Sequence, residues 1–271
     1  MPTLYIVATP IGNLEDVSLR ALRILREVKL IVAEDTRRTK RLLANYDIKT
    51  PMTSYHEHNK WSKLGYILDC LDDRDMALVS DAGMPGMSDP GYELITAVYQ
   101  RGTPVVPIPG SSVVITALVV SGLPPSRFLY LGFLPKKAGS RRRLLESVAG
   151  EPGTMVAFES PHRLLVALKD LLLVLGDRKM AACRELTKIH EEVFRGTVSR
   201  TIEHFTEPRG EFTLVIEGKV GNDKPSLTED IEKQLHCMRL SGGTARDAIA
   251  KVAGETGLSK KELYRAWLRL S

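Results

Sequence analysis

Apolar residues over the first 120 positions follow two alternating rhythms. Short unbroken runs (Leu4 to Ala8, Leu30 to Ala33, Met76 to Val79, Val105 to Ile108) read as buried strands. Between them apolar residues return every three or four positions: Leu19, Leu22, Leu25 and Val28; Leu64, Ile67, Leu68 and Leu71; Leu94, Ile95 and Val98. Val113 to Val120 is helical and almost wholly apolar. Strands alternating with amphipathic helices predict an α/β, doubly wound, mostly parallel sheet over residues 1–121, closed by the linker Gly122-Leu123-Pro124-Pro125.

The rhythm then changes. Strands are expected at Phe128 to Leu134, Thr154 to Phe158, Lys179 to Cys183 and Phe212 to Ile216, with helices at Leu164 to Leu175 and Thr201 to Phe205. Pro135 to Arg143 reads as a basic loop and Phe194 to Thr197 as a turn. A second α/β domain with a mixed sheet is expected over 122–222. Residues 223–271 read as a small helical extension. Thr244-x-x-Asp247 and Ser259-x-x-Glu262 resemble capping boxes on either side of a glycine-bearing turn, a helix-turn-helix pattern. Its last helix would carry Lys260, Lys261, Arg265 and Arg269 beside buried Leu263, Trp267 and Leu268, either to bind nucleic acid or as the solvated face of a packing tail.

The punctuation at the strand ends points to a ligand. Ser80 to Gly91 is a Gly/Pro-rich loop between a strand and a helix, the position at which open α/β sheets bind their ligands. Thr9 to Leu14 and Pro107 to Gly110 interrupt other strands in the same way, and Ser111-Ser112 is placed to cap the helix that follows. Glu34 to Arg41 is dense in charge of both signs. No strand end carries G-x-G-x-x-G, so a dinucleotide reading has no support. His56 and His58, two apart on an extended segment, would point the same way, but no third ligand adjoins them, and no metal is expected.

Composition adds a modest bias. The chain has 271 residues and a formal charge of +5, a lean toward a polyanionic partner. Three distant cysteines in no metal spacing read as reduced thiols. No apolar run reaches membrane-spanning length and no secretory leader pattern opens the chain, so a cytoplasmic protein is expected.

Taken in order, T-P-I-G-N-L (9–14), A-E-D-T-R (33–37), S-D-A-G-M-P (80–85), S-D-P-G (88–91), P-I-P-G (107–110), G-F-L-P (132–135), E-S-P-H-R (159–163) and R-E-L-T-K (184–188) resemble the ribosomal RNA small subunit methyltransferase I family of the tetrapyrrole methylase superfamily. The resemblance covers roughly residues 3 to 220. It implies two α/β domains with S-adenosylmethionine in the cleft between them, usually in a homodimer. It implies 2′-O-methylation of a cytidine ribose in the decoding region of 16S rRNA in the small ribosomal subunit. By position it implies cofactor contacts from Pro10, from Ser80, Asp81, Ala82 and Met84, from Ser111 and Ser112, and from Phe158 (or Glu159) and Leu186. The G-P-G-D and G-D-P loops of tetrapyrrole-modifying members are replaced here by P-I-G-N and S-D-A-G-M-P, which argues against a porphyrinoid substrate.

A ribose hydroxyl is a weak nucleophile, so a general base is expected at a strand end. Asp35, Asp81, Glu159, Glu185 and His56 qualify by position. Glu159 and Asp35 are favoured because Arg163 and Arg37 adjoin them and could hold a phosphate. RNA contacts are expected from Arg37, Arg38, Lys40 and Arg41, from Lys136, Lys137, Arg141, Arg142 and Arg143, and from Arg163, with Tyr55, Tyr130 or Phe133 available to stack on bases. Two alternatives remain: the same fold acting on a tetrapyrrole or a protein side chain, or a non-catalytic RNA-binding assembly factor.

Overall fold

The structure is a computed structural model that describes residues 2–87, 89–219, 227 and 229–269. Residues up to Gly218 form one compact unit and those from Lys219 another. In the first unit β1 (Leu4–Val7), β2 (Leu30–Ala33), β3 (Met52–Ser54), β4 (Met76–Val79) and β5 (Val105–Ile108) form a sheet in the order β3-β2-β4-β1-β5. Every pairing in it is parallel. The connecting helices are α1 (Leu19–Glu27), α2 (Thr36–Asn45), α3 (Lys60–Leu71), α4 (Tyr92–Gln100) and α5 (Val113–Val120). Both faces are covered, as the unbroken apolar runs require. Val7, Ile31 and Ala33 pack with α1, while Leu4, Ile6, Leu30 and Val32 pack with α3 and α4. The alternation is the two-residue period of a strand.

The second sheet contains β6 (Phe128–Phe133), β7 (Thr154–Glu159), β8 (Lys179–Arg184), β9 (Glu192–Thr197) and β10 (Phe212–Ile216), in the order β6-β7-β10-β8-β9. Only β6 and β7 run parallel; the other pairs are antiparallel, so the sheet is mixed. Helices α6 (Ala138–Ser147), α7 (Leu164–Leu175) and α8 (Val198–His204) cover one face. The other face takes Val114, Ala117 and Leu118 of α5 against Val156, Ala181, Cys183 and Val215. Through α5 the two sheets share one unit.

Four local expectations change. Residues 138–147 are helical, not loop: the run R-R-R-L-L-E is made of good helix formers, and Arg141 finds a buried carboxylate. Residues 194–197 lie in β9, an edge strand whose partly exposed pattern hides its period. His56 and His58 follow β3 in a turn, their rings 6.1 Å apart and edge to face, so they do not share a strand face. Ser112 is the N-cap of α5, but its side chain makes no capping bond.

The second unit consists of α9 (Glu229–Leu240), α10 (Ala245–Thr256) and α11 (Lys260–Arg269) around Leu235, Ile249, Val252, Leu258, Leu263 and Trp267. Gly257, left-handed at φ 70°, ends α10, and a three-residue turn leads into α11. Thr244 and Ser259 accept from the backbone N–H of Asp247 and Glu262 and donate their hydroxyls to the same residues' carboxylates. These caps keep the first half of a capping box and replace its reciprocal backbone bond with a side-chain one.

Candidate active site

Three loops meet at the C-terminal ends of β1, β2 and β4. The loop after β1 is stitched to the loop after β4 by two backbone bonds, Thr9 N–H to Gly83 O at 2.9 Å and Gly83 N–H to Thr9 O at 3.0 Å. The Thr9 hydroxyl also donates to Ser80 O at 3.1 Å. Gly83 sits at φ 76°, where a side chain would be strained.

A loop of the second sheet closes over the first. Asn13 N–H donates to Thr187 Oγ1 at 3.1 Å. A Cβ on Gly12 would stand 2.5 Å from Lys188 Cγ and 2.7 Å from Thr187 Oγ1, so only glycine permits this approach. Thr187 is held at φ 66° and Glu185 at φ 49°, the left-handed region that a β-branched residue rarely adopts. The surroundings enforce it: the Glu191 carboxylate accepts from Thr187 N–H, and Lys188 Nζ spans Glu185 at 3.1 Å and Glu211 at 3.0 Å.

A cavity of about 240 Å³ opens between these loops. Pro10, Ser80, Asp81 and Ala82, all expected at the site, line it. Arg38 and Arg41 of α2 enter from one side, Lys188 and Glu211 from the second sheet on the other. Met84, half-buried, packs against the core under α4 and is not part of the cavity lining. The Ser111 hydroxyl donates to Asp16 O at 3.2 Å. Phe158 and Leu186 join the apolar cluster beneath α5, beside Ser112 at the start of that helix.

The electrostatics of this end of the sheet are dominated by carboxyl groups. The Glu34 carboxylate accepts from Asp81 N–H at 3.2 Å, and the Asp81 carboxylate accepts from Asp35 N–H at 3.1 Å. Asp81 also pairs with Arg38 at 3.3 Å. Burial, and then repulsion from Asp89, pushes the Glu34 carboxyl above its ordinary value. Burial raises Asp81 against the pull of Arg38, and burial raises Asp89 against its bond with Ser80. These partly buried carboxyls carry an excess of negative charge that a cationic ligand would relieve. Together with the side-chain-free cap of α5, that donor set fits a sulfonium amino acid, positive at sulfur and negative at its carboxylate. Glu34 and Asp89 escaped the sequence argument; their signal was acids at strand ends, already present in A-E-D-T-R and S-D-P-G. Lys188 and Glu211 were missed because only the fold brings them to the first sheet.

Neither of the two favoured bases lines the cavity. Glu159 has the parity of Met155 and Ala157, which face α7, whereas Val156 and Phe158 face α5. Its carboxylate is buried: Oε1 accepts from Ser160 N–H at 2.8 Å and pairs with Arg163 at 2.5 Å, while Oε2 has no hydrogen-bond partner among the described residues. Asp35 caps α2, accepting from Arg37 N–H at 2.8 Å and pairing with the Arg37 guanidinium at 2.8 Å. That bonding holds its carboxyl well below the ordinary range.

The basic residues divide in the same way. Arg141 is buried, pairs with Asp170 and donates to Pro135 O and Lys136 O. It is a strut beneath the loop, not a surface cation. Arg163 is tied to Glu159, the Ser160 hydroxyl and Leu134 O. Arg142 shares Asp170 at 2.7 Å but stays half exposed. Lys136, Lys137 and Arg143 are exposed, and so are Arg37, Arg38 and Arg41. Phe133 is exposed beside that basic loop with its ring 5.4 Å from Phe158, while Tyr55 is buried in the first core.

Residues 3–201 match the family model of Tetrapyrrole (Corrin/Porphyrin) Methylases. The fold alone is shared with a solved diphthine synthase (TM-score 0.61, 12% identity, covering 79% of this chain and 90% of that one). Much closer in sequence are proteins named ribosomal RNA small subunit methyltransferase I. The one from Synechocystis sp. is 46% identical over 100% of this chain and 99% of its own. That from Thermotoga maritima is 50% identical over 81% of this chain and 100% of its own. The chain therefore belongs to the ribosomal RNA small subunit methyltransferase I family, within the tetrapyrrole methylase class.

Proposed function

We propose that this protein transfers a methyl group from S-adenosylmethionine to the ribose 2′-hydroxyl of a cytidine in the decoding region of 16S rRNA, acting on the small ribosomal subunit in the cytoplasm as a homodimer. The observation that carries the reading is the near-full-length identity to relatives of that family name. The site residues are consistent with it. When bound, S-adenosylmethionine supplies an electrophilic methyl group on a sulfonium centre. Asp81, with Glu34 and Asp89 behind it, offers the negative field that holds this cation. The uncapped α5 N-terminus offers N–H groups to a carboxylate, and Phe158 and Leu186 lie in the apolar cluster beside it.

Transfer forms an oxygen–carbon bond, breaks a sulfur–carbon bond and leaves the hydroxyl proton to be taken up. With Glu159 turned toward α7 and Asp35 capping α2, proton uptake falls to the Asp81 carboxylate on the cavity wall. Its raised pKa makes it a better acceptor than an ordinary aspartate. Arg38 and Arg41 sit where a phosphate entering the cavity would be held, and Phe133 with Lys136 and Lys137 is suited to stacking and backbone contacts. Asp81→Asn tests the assignment: the variant should fold, bind cofactor at least tenfold more weakly, and lose more than 100-fold in kcat, by analogy with the usual worth of a general base, about 10²–10⁴. Unchanged kcat at saturating cofactor would remove Asp81 as the proton acceptor.

A further inference from the structure

The helical unit beyond Lys219 is not used by the site just described. Three of its acids are engaged locally: Asp247 and Glu262 accept from the capping hydroxyls, and Glu255 accepts from the Gln234 amide at 2.9 Å. The cations of its last helix are not. Lys260, Lys261, Arg265 and Arg269 of α11 are exposed and make no ion pair or side-chain hydrogen bond among the described residues.

Their placement works against the helix that carries them. Lys260 and Lys261 occupy the first turn, where the helix dipole already presents positive charge. Lys261, Arg265 and Arg269 follow at i, i+4 and i+8, a like-charge stripe that repels itself. Beside it Tyr264 and Leu268 are half exposed on a helix whose opposite face buries Leu263, Ala266 and Trp267. The helix is held rigidly from behind: Arg239 of α9 donates to Trp267 O at 3.1 Å and lies 5.7 Å over its ring. Helix α10, the three-residue turn with Gly257 and helix α11 reproduce the helix-turn-helix arrangement, in which the second helix meets the nucleic acid. The Thermotoga maritima relative matches 81% of this chain over 100% of its own length, which leaves a share about the size of this unit unmatched.

We propose that the exposed face of α11 is an RNA-docking surface, gripping the phosphate backbone of the substrate with Lys260, Lys261, Arg265 and Arg269 and offering Tyr264 as a stacking platform. A polyanion is the occupant that relieves all four unpaired charges at once. The choice of RNA over other polyanions rests on the rRNA reading above.

The test compares the full chain with K260A/K261A/R265A/R269A by filter binding of a 16S rRNA transcript and of small subunits, from 50 to 200 mM salt. The variant should bind at least tenfold more weakly near 0.15 M salt, and its plot of log K against log salt should be shallower by about 3, the slope that four phosphate contacts supply. S-adenosylmethionine affinity by calorimetry should be unchanged, and K260R/K261R should bind RNA like the parent. Equal affinity and equal salt slope in parent and quadruple variant would overturn the proposal and leave the face to another partner, such as an acidic protein. Methyl transfer is scored separately: RNA binding lost in the variant while the parent methylates no RNA would refute the enzyme reading and keep the docking face.

Discussion

Single residues here are best understood by what they already hold. Arg141 looks in sequence like part of a surface R-R-R cluster, yet it is buried against Asp170. Removing one partner of such a pair strands a buried charge. Asp170→Ala should therefore destabilise the protein by about 3–5 kcal/mol, and Arg141→Met with Asp170→Leu should recover most of that loss in thermal unfolding. The Asp170 carboxyl is burdened by burial, but its two arginines outweigh this and hold it below the ordinary value. Its stabilising effect is thus present above the unfolded value of 3.8 and is lost as pH falls through the lower folded value. Cys183 is the opposite kind of group: burial pushes its thiol up to about 12. In the native protein Cys237, exposed, should alkylate fastest and Cys183 only on unfolding, a contrast that peptide mass mapping resolves. Residue types marked Asp81 and Ser80 from sequence, and both line the cavity. The same reasoning could not place Glu159, because one position of strand parity puts it on the face of Met155 and Ala157.

At the scale of elements, the loops after β1, β4 and β8 behave as one device. The strained Thr187 and the crowded Gly12 make sense only together, since the left-handed turn brings Thr187 Oγ1 to Asn13 N–H. Gly12→Ala should part these loops, lowering cofactor affinity at least tenfold while costing about 1–3 kcal/mol of stability, typical of overpacking. Unaltered cofactor affinity in a folded Gly12→Ala protein would show that the loop contact does not shape the site. Much of the element order was legible, because buried parallel strands leave unbroken apolar runs and helices leave a three-to-four residue spacing. Helix α6 and strand β9 were not. The first hides its buried cation among exposed ones, and the second is an edge whose partly exposed residues follow no clear two-residue pattern.

For the whole molecule, the cluster of Glu34, Asp81 and Asp89 sets a pH signature. Each carboxyl has a raised folded value, with burial the largest cause. Their contribution to stability is present at low pH and lost as pH rises through those raised values. Attraction for a sulfonium runs the other way, since it needs the ionised forms. The gain in Tm on adding S-adenosylmethionine should therefore shrink as pH falls from neutrality toward the raised carboxyl values, and Asp81→Asn should flatten that dependence. A gain independent of pH would mean that the carboxyls do not face the ligand. The cleft itself was only partly legible: strand-end loops announce a ligand site, but nothing local in the sequence says that Lys188 and Glu211 will close over Pro10.

The most direct measurement is transfer of label from radioactive S-adenosylmethionine to small ribosomal subunits that lack their native 2′-O-methyl groups, with the labelled position mapped by nuclease resistance. Label is expected on one cytidine ribose in the decoding region, and none with Asp81→Asn. Cofactor binding without label on any RNA, or label on a base instead of a ribose, would contradict it.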